Sequence, residues 1–260
     1  MIWAACAASM SPTCVELLLD AKAQINSQDK VGKTALICAS RNFSTACTQL
    51  LIGANAQLEA SDAEGKTALI AAASDGKVKN VQLLLAAKAN IEAKDNEAST
   101  ALMCAAGAGH TECVKVLIAA KASLDAKDNG GHTALLSAIR KGKIECARLL
   151  TNAKADVCVR DASGVSAVAL AATKGLLKCL HFLLDARKGS FKIHDSLALI
   201  SAVKQGKEDC AQLLLTRGHA NIEAKDADGN TALIRATLSE YTKCAQMLVN
   251  AKANIAAANN

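Results

Sequence analysis

Thiols are the reactive side chains that this sequence repeats. Of 11 cysteines, seven fall in one series: Cys14, Cys47, Cys113, Cys146, Cys179, Cys210 and Cys244. The steps 47 minus 14, 146 minus 113 and 179 minus 146 are each 33, 113 minus 47 is twice that, and the last two are 31 and 34. Asn80 fills the position the series skips. A row of thiols could hold a soft metal or cycle between thiol and disulfide. The spacing argues against both. No CxxC pair occurs, and stacked helix pairs lie about 10 Å apart, whereas a disulfide needs Cα atoms within about 7 Å. A small buried apolar side chain in a repeated core accounts for the series. Cys38 and Cys104 share a second position, Cys6 lies one step further along its own unit, and none has a histidine at zinc-ligand spacing. No metal and no cofactor is expected. Reduced thiols, and with them an intracellular, cytoplasmic protein, are expected.

Other chemistry is thinly supported. His110, His132, His181, His194 and His219 are scattered, and HExxH, GxSxG and P-loop patterns are absent. An enzyme is not expected. The chain carries 30 Lys and Arg against 24 Asp and Glu, a net +6 that favours acidic partners without demanding them. Its basic residues lack interleaved aromatics, so nucleic acid is not expected, although a basic solenoid binding nucleic acid is the alternative from another class.

The elements that carry these residues are repeats. The chain has 260 residues, 51% hydrophobic but only 2% aromatic, with one proline. Such a composition suits thin layers of close helices rather than one thick core, and no apolar run is long enough for a membrane span. Thr34, Thr67, Thr100 and Thr133 open TALI, TALI, TALM and TALL at a constant step of 33, for instance 67 minus 34; Ser166, Leu197 and Thr231 continue the series. Leucine-rich triads follow, such as Leu83-Leu84-Leu85 and Leu213-Leu214-Leu215. Each unit reads as a first helix capped by threonine, a glycine break, a second helix carrying the triad, and an Asp-x-x-Gly hairpin tip. One helix pair cannot bury both faces, so neighbours must stack. The expected fold is an all-α, single domain over 1–260 with about eight helix-turn-helix units: a partial one at about 1–28, then 29–61, 62–94, 95–127, 128–160, 161–191, 192–225 and 226–260.

Over nearly its whole length the chain resembles the ankyrin-repeat family, whose unit runs roughly D-x-x-G-x-T-P-L-H-x-A-A-x-x-G-H-x-E-x-V-x-L-L-L. It departs from that pattern consistently. Ala35, Ala68, Ala101, Ala134 and Ala232 replace the proline, and Ile37, Ile70, Met103, Leu136 and Ile234 the histidine. Lys22, Asn55, Lys88, Lys121, Lys154 and Lys252 stand where the family has glycine after the second helix. If that position is left-handed, each lysine costs about 1 kcal/mol against glycine.

The resemblance implies an ankyrin-repeat solenoid that binds protein through hairpin tips and the ends of the first helices. The matching positions are Lys33, Arg41 and Asn42; Lys66, Ser74 and Asp75; Ser99 and Ala108; His132, Arg140 and Lys141; Val165, Thr173 and Lys174; Ser196, Lys204 and Gln205; and Asn230, Leu238 and Ser239. They vary while the repeat stays fixed, as a surface fitted to a non-repeating partner should. Arg140, Lys141, Lys143, Lys174, Lys204 and Lys207 make the middle and later units basic, so the expected partner is an acidic or phosphorylated protein segment. Two further rows, the lysines after the second helices and Lys94, Lys127, Arg160 and Lys225 with Glu92, Asp125 and Glu223, read as a solvated edge of alternating charge. Met1 takes the threonine position, so residues 1–10 read as a first helix with Trp3 at the leucine position. Neither terminal unit has the polar replacements of a cap, which implies a place in a larger, multi-subunit assembly or, alternatively, a regulatory segment of a larger enzyme or channel. Between Ala186 and Ser196 the period slips, and a shortened hairpin around Phe191 and His194 is expected.

Overall fold

The computed structural model describes residues 11–42, 45–186, 196–217 and 220–257. The expected first helix at 1–10 and the shortened hairpin around Phe191 lie outside these residues.

The described residues are all-α. Fifteen helices follow in order: α1 Pro12–Asp20, α2 Ala35–Ser40, α3 Thr45–Gly53, α4 Ala68–Ser74, α5 Val78–Ala86, α6 Ala101–Ala108, α7 Thr111–Ala119, α8 Ala134–Arg140, α9 Ile144–Asn152, α10 Ala167–Lys174, α11 Leu177–Ala186, α12 Ser196–Lys204, α13 Glu208–Thr216, α14 Ala232–Leu238 and α15 Thr242–Asn250. Even-numbered members are the first helices of their units and odd-numbered members the second.

The threonine series sets where first helices begin. Thr34, Thr67, Thr100, Thr133 and Thr231 each accept the amide of the residue three positions on, at 3.3–3.4 Å, and Ser166 does the same at 3.1 Å. Each cap contributes about 1 kcal/mol. Most first helices end on a left-handed glycine, as at Gly76, Gly109 and Gly175, which turns the chain back into the second helix.

The chain divides into two compact units, residues 1–137 and 138–260. In the first, α2 packs on α4 and α4 on α6, while α1, α3, α5 and α7 form a second row, each on the next. In the second, α10, α12 and α14 form one row and α9, α11, α13 and α15 the other. Alanines make the first-helix contacts: Ala39, Ala72 and Ala105 in one unit, Ala171 and Ala202 in the other, are wholly inaccessible. In most triads the central residue is the most deeply buried, as with Leu84, Leu117 and Leu214.

Backbone hydrogen bonds tie neighbouring hairpins in the first unit. Ala63 N–H donates to the Val31 carbonyl at 3.0 Å, Asn96 to Glu64 at 3.0 Å and Asn129 to Glu97 at 2.9 Å. Gly65 combines φ +77° with an approach so close that a β-carbon would lie 2.6 Å from Asn96 N, so only glycine fits there. The equivalent residue one unit later is Ala98, held at φ +61°. The six residues in place of the glycine after the second helix are also left-handed, from +52° at Lys22 to +74° at Lys154.

A second set of links corrects the reading of the charged edge. Asn26 Oδ1 accepts the Gln57 amide at 2.9 Å; Glu59, Glu92 and Glu223 accept the amides of Asn90, Ser123 and Asn254, each at 2.7 Å. Donor and acceptor are always 31 residues apart. Glu92 and Glu223 are therefore clamps onto the next unit's backbone, not free surface charges, because a carboxylate satisfies a loop amide that has no helical partner.

Six of the seven series cysteines are buried, and Cys14 is exposed, a correction to the expectation for that residue. Asn80 reveals what covers this position: its Nδ2 donates to the carbonyls of Ser40 and Asn42, both at 2.9 Å, at the end of the first helix one unit earlier. No described helix supplies that cover to Cys14. Nine cysteines are free thiols, but Cys38 is disulfide-bonded, so the expectation of reduced thiols fails there. The separation argument covered the second-helix series, and Cys38 lies on a first helix outside it.

Three outcomes follow. Ala98→Gly raises stability by about 1 kcal/mol by relieving the left-handed strain, read as a higher urea midpoint. Glu92→Ala lowers it by about 1 kcal/mol, and Glu92→Gln, which keeps an acceptor, by less. A bulky thiol reagent modifies Cys14 and Cys158 fast, whereas Cys179, buried and with its thiol pushed up to about 11 by that burial, reacts far more slowly in the native state; raising the pH toward that value increases the thiolate fraction and speeds its reaction.

Candidate functional site

The residues matching the interaction face lie where first helices end and hairpins turn. In the first unit most of them are engaged by neighbouring groups. Arg41, which ends α2, meets Asp75, which ends α4, with Nε 2.7 Å from Oδ2. Lys66 and Glu64 are paired within one hairpin at 2.6 Å, which raises the lysine pKa and lowers that of the glutamate. His132 is turned into its own hairpin, Nδ1 lying 3.1 Å from both Asp128 oxygens, with 15% of its side chain exposed. Asn42 Nδ2 donates to the Cys38 carbonyl at 3.1 Å. Lys33 and Ser99 are half-buried and donate backbone amides to Asp29 and Asp95, both at 2.8 Å. Ser74 gives its carbonyl to His110 Nε2 at 2.9 Å.

The second unit differs. Arg140, Lys141, Lys174, Lys204 and Gln205 are all exposed, and among the described residues no ion pair engages the four cations. They stand at the C-terminal ends of first helices, where the helix dipole favours positive charge. Thr173 is half-buried and donates its hydroxyl to the Ala169 carbonyl at 2.7 Å. Ser239 is half-buried, and Asn230 is 4% exposed, its side chain turned into the core and unable to meet a partner. The side chain of Ser196 lies outside the described residues.

Two features of this face escaped the sequence. Leu238 is 65% and Tyr241 38% exposed, unusual for their size. Leu238 was readable as a matching position, but its exposure was not; Tyr241 occupies the register of the half-buried His110 and Lys143, which gave no sign of an aromatic contact.

No group of three or more His, Cys, Asp or Glu side chains that could hold a metal occurs among the described residues. A cleft of about 550 Å³ between α13 and α15 is lined by Gln212, Leu215, Thr216, Lys243, Gln246 and Met247 among others. The Thr216 hydroxyl in that lining donates to the Gln212 carbonyl at 2.9 Å and the Lys243 amine faces Glu208, so hydroxyl and amine are engaged elsewhere rather than set as nucleophile and base. Among the described residues no helix is long and apolar enough to cross a membrane.

Capped helix pairs, left-handed turns and hairpins recurring at 33 residues are the geometry of the family that the sequence resembles. The family model for ankyrin repeats matches in three copies, over residues 1–95, 87–161 and 168–259. No curated protein matches the chain. Ankyrin repeats are generally protein–protein interaction modules, typically without catalytic activity. By the extent of that match, the chain belongs to the ankyrin-repeat family.

Proposed function

We propose that this protein is a non-catalytic scaffold that binds an acidic segment of a partner protein through the first-helix ends of residues 138–260. The observation that carries this reading is an asymmetry in how charge is used. The equivalent residues of 1–137 spend their charge on each other, as Arg41 does on Asp75, whereas Arg140, Lys141, Lys174 and Lys204 are exposed with no carboxylate paired to them among the described residues. Unneutralised cations in a row raise the local potential, steer acidic chains toward the surface and repel basic ones. The nine free thiols support an intracellular, cytoplasmic setting, with Cys38 as the exception.

Charge reversal tests the surface directly. With Arg140, Lys141 and Lys174 all changed to Glu, recovery of acidic proteins from a cell extract in a quantitative pull-down is expected to drop about tenfold or more. The matching reversal of Arg41 and Lys66 is expected to change it far less. Equal recovery by the wild type and the triple variant would remove this face.

A further inference from the structure

We propose that the partner segment has two parts: an acidic run that lies on the cations at the ends of α10 and α12, and beside it one large apolar side chain that seats against Leu238 and Tyr241. This rests on the acidic-partner reading and specifies the rest of the ligand.

The register carries the inference. Leu238 occupies the repeat position of Arg140, Thr173 and Lys204, and Tyr241 that of Lys143, Leu176 and Lys207. The end of α10 carries Lys174, one residue past Thr173, and the end of α12 carries Lys204, so a row that offers a cation at each first-helix end turns apolar at α14. The neighbouring contacts make that row continuous within this unit, because α12 packs on both α10 and α14. Side-chain positions agree. A β-carbon on Gly175 would lie 2.9 Å from Lys207 Cδ, so the Lys207 stem crosses the end of α10 beside Lys174. A β-carbon on Gly206 would lie 3.0 Å from Tyr241 Cζ, so the tyrosine ring covers the end of α12 beside Lys204 and Gln205. Each step along the row thus hands over to the next, first cation to cation, then cation to ring.

The fold accounts for only part of Tyr241, whose ring packs over Gly206 as His110 packs over Gly76 and still leaves 38% of the residue in water. Leu238 is the last residue of α14 and has most of its surface in water. Scattered exposed apolar residues are ordinary, but a leucine and a tyrosine three positions apart, at the end of a cation row, form a small dry seat with a charged approach. A ligand whose negative charge continued past Lys204 would meet hydrocarbon there; one whose charge stops and gives way to Leu, Phe or Trp matches both parts.

The experiment is selection of a random peptide phage library on the immobilised full-length chain, followed by anisotropy titration of the enriched peptide. Enriched sequences are expected to carry two or more acidic residues flanked, on one side, by a large apolar residue. On the Leu238→Ser, Tyr241→Ser double variant the acidic preference persists, the apolar preference disappears, and affinity for the original peptide falls about tenfold. Leu238→Lys, which extends the cation row, shifts the flanking preference to Asp or Glu, a gain that a misfolded protein could not produce. Enrichment of acidic peptides with no apolar flank, or an apolar preference that survives the double variant, overturns the two-part ligand while leaving the acidic-partner reading standing. Enrichment without acidic residues, or none at all, overturns that reading and the proposal with it.

Discussion

Everything in each compact unit depends on first helices that approach closely enough to bury alanine on alanine. Ala39, Ala72 and Ala105 have no solvent exposure, and neither have Ala171 and Ala202. Side chains this small bring backbones near one another, and at that distance the hairpin of one repeat reaches the hairpin of the next. The backbone bonds from Ala63 to Val31 and from Asn96 to Glu64 follow from that approach. So does the intolerance of a β-carbon at Gly65. Sparse aromatic content is thus a requirement of the packing, since a phenylalanine at these contacts would hold the helices apart.

Stability in such an array is a sum over neighbours rather than a property of one centre. Within a repeat, the threonine cap and the buried central leucine of the triad are supplied locally. Between repeats, the carboxylates of Glu59, Glu92 and Glu223 add one charge-assisted bond at each junction they serve. Against these stand the left-handed lysines and Ala98, each a small local strain that the stacking tolerates. The balance leaves the surface at first-helix ends free to vary, because none of these contributions uses it.

Much of this was legible in the sequence, and the exceptions have a common cause. The caps at Thr34 to Thr231, the glycine breaks and the left-handed Lys88 and Lys121 are consequences of position inside a unit, and a fixed step reveals position. Glu92 looked like edge charge because its partner is the amide of Ser123, a backbone group with no mark of its own in the sequence, in another unit. The pairing of Arg41 with Asp75 was hidden for the same reason: each residue matched the interaction face separately, and only their proximity shows that they satisfy one another. Cys14 and Asn230 went the other way, one exposed and one buried, because a neighbour's cover rather than the residue's type decides burial.

The clamp series also gives the array a direction. Asn26, Glu59, Glu92 and Glu223 each reach forward to an amide 31 residues on. A carboxylate lost from one repeat is therefore felt in the hairpin of the next, whose loop amide is left without its acceptor. Damage at these positions travels toward the C-terminus, while the repeat that carries the altered side chain keeps its own caps and core.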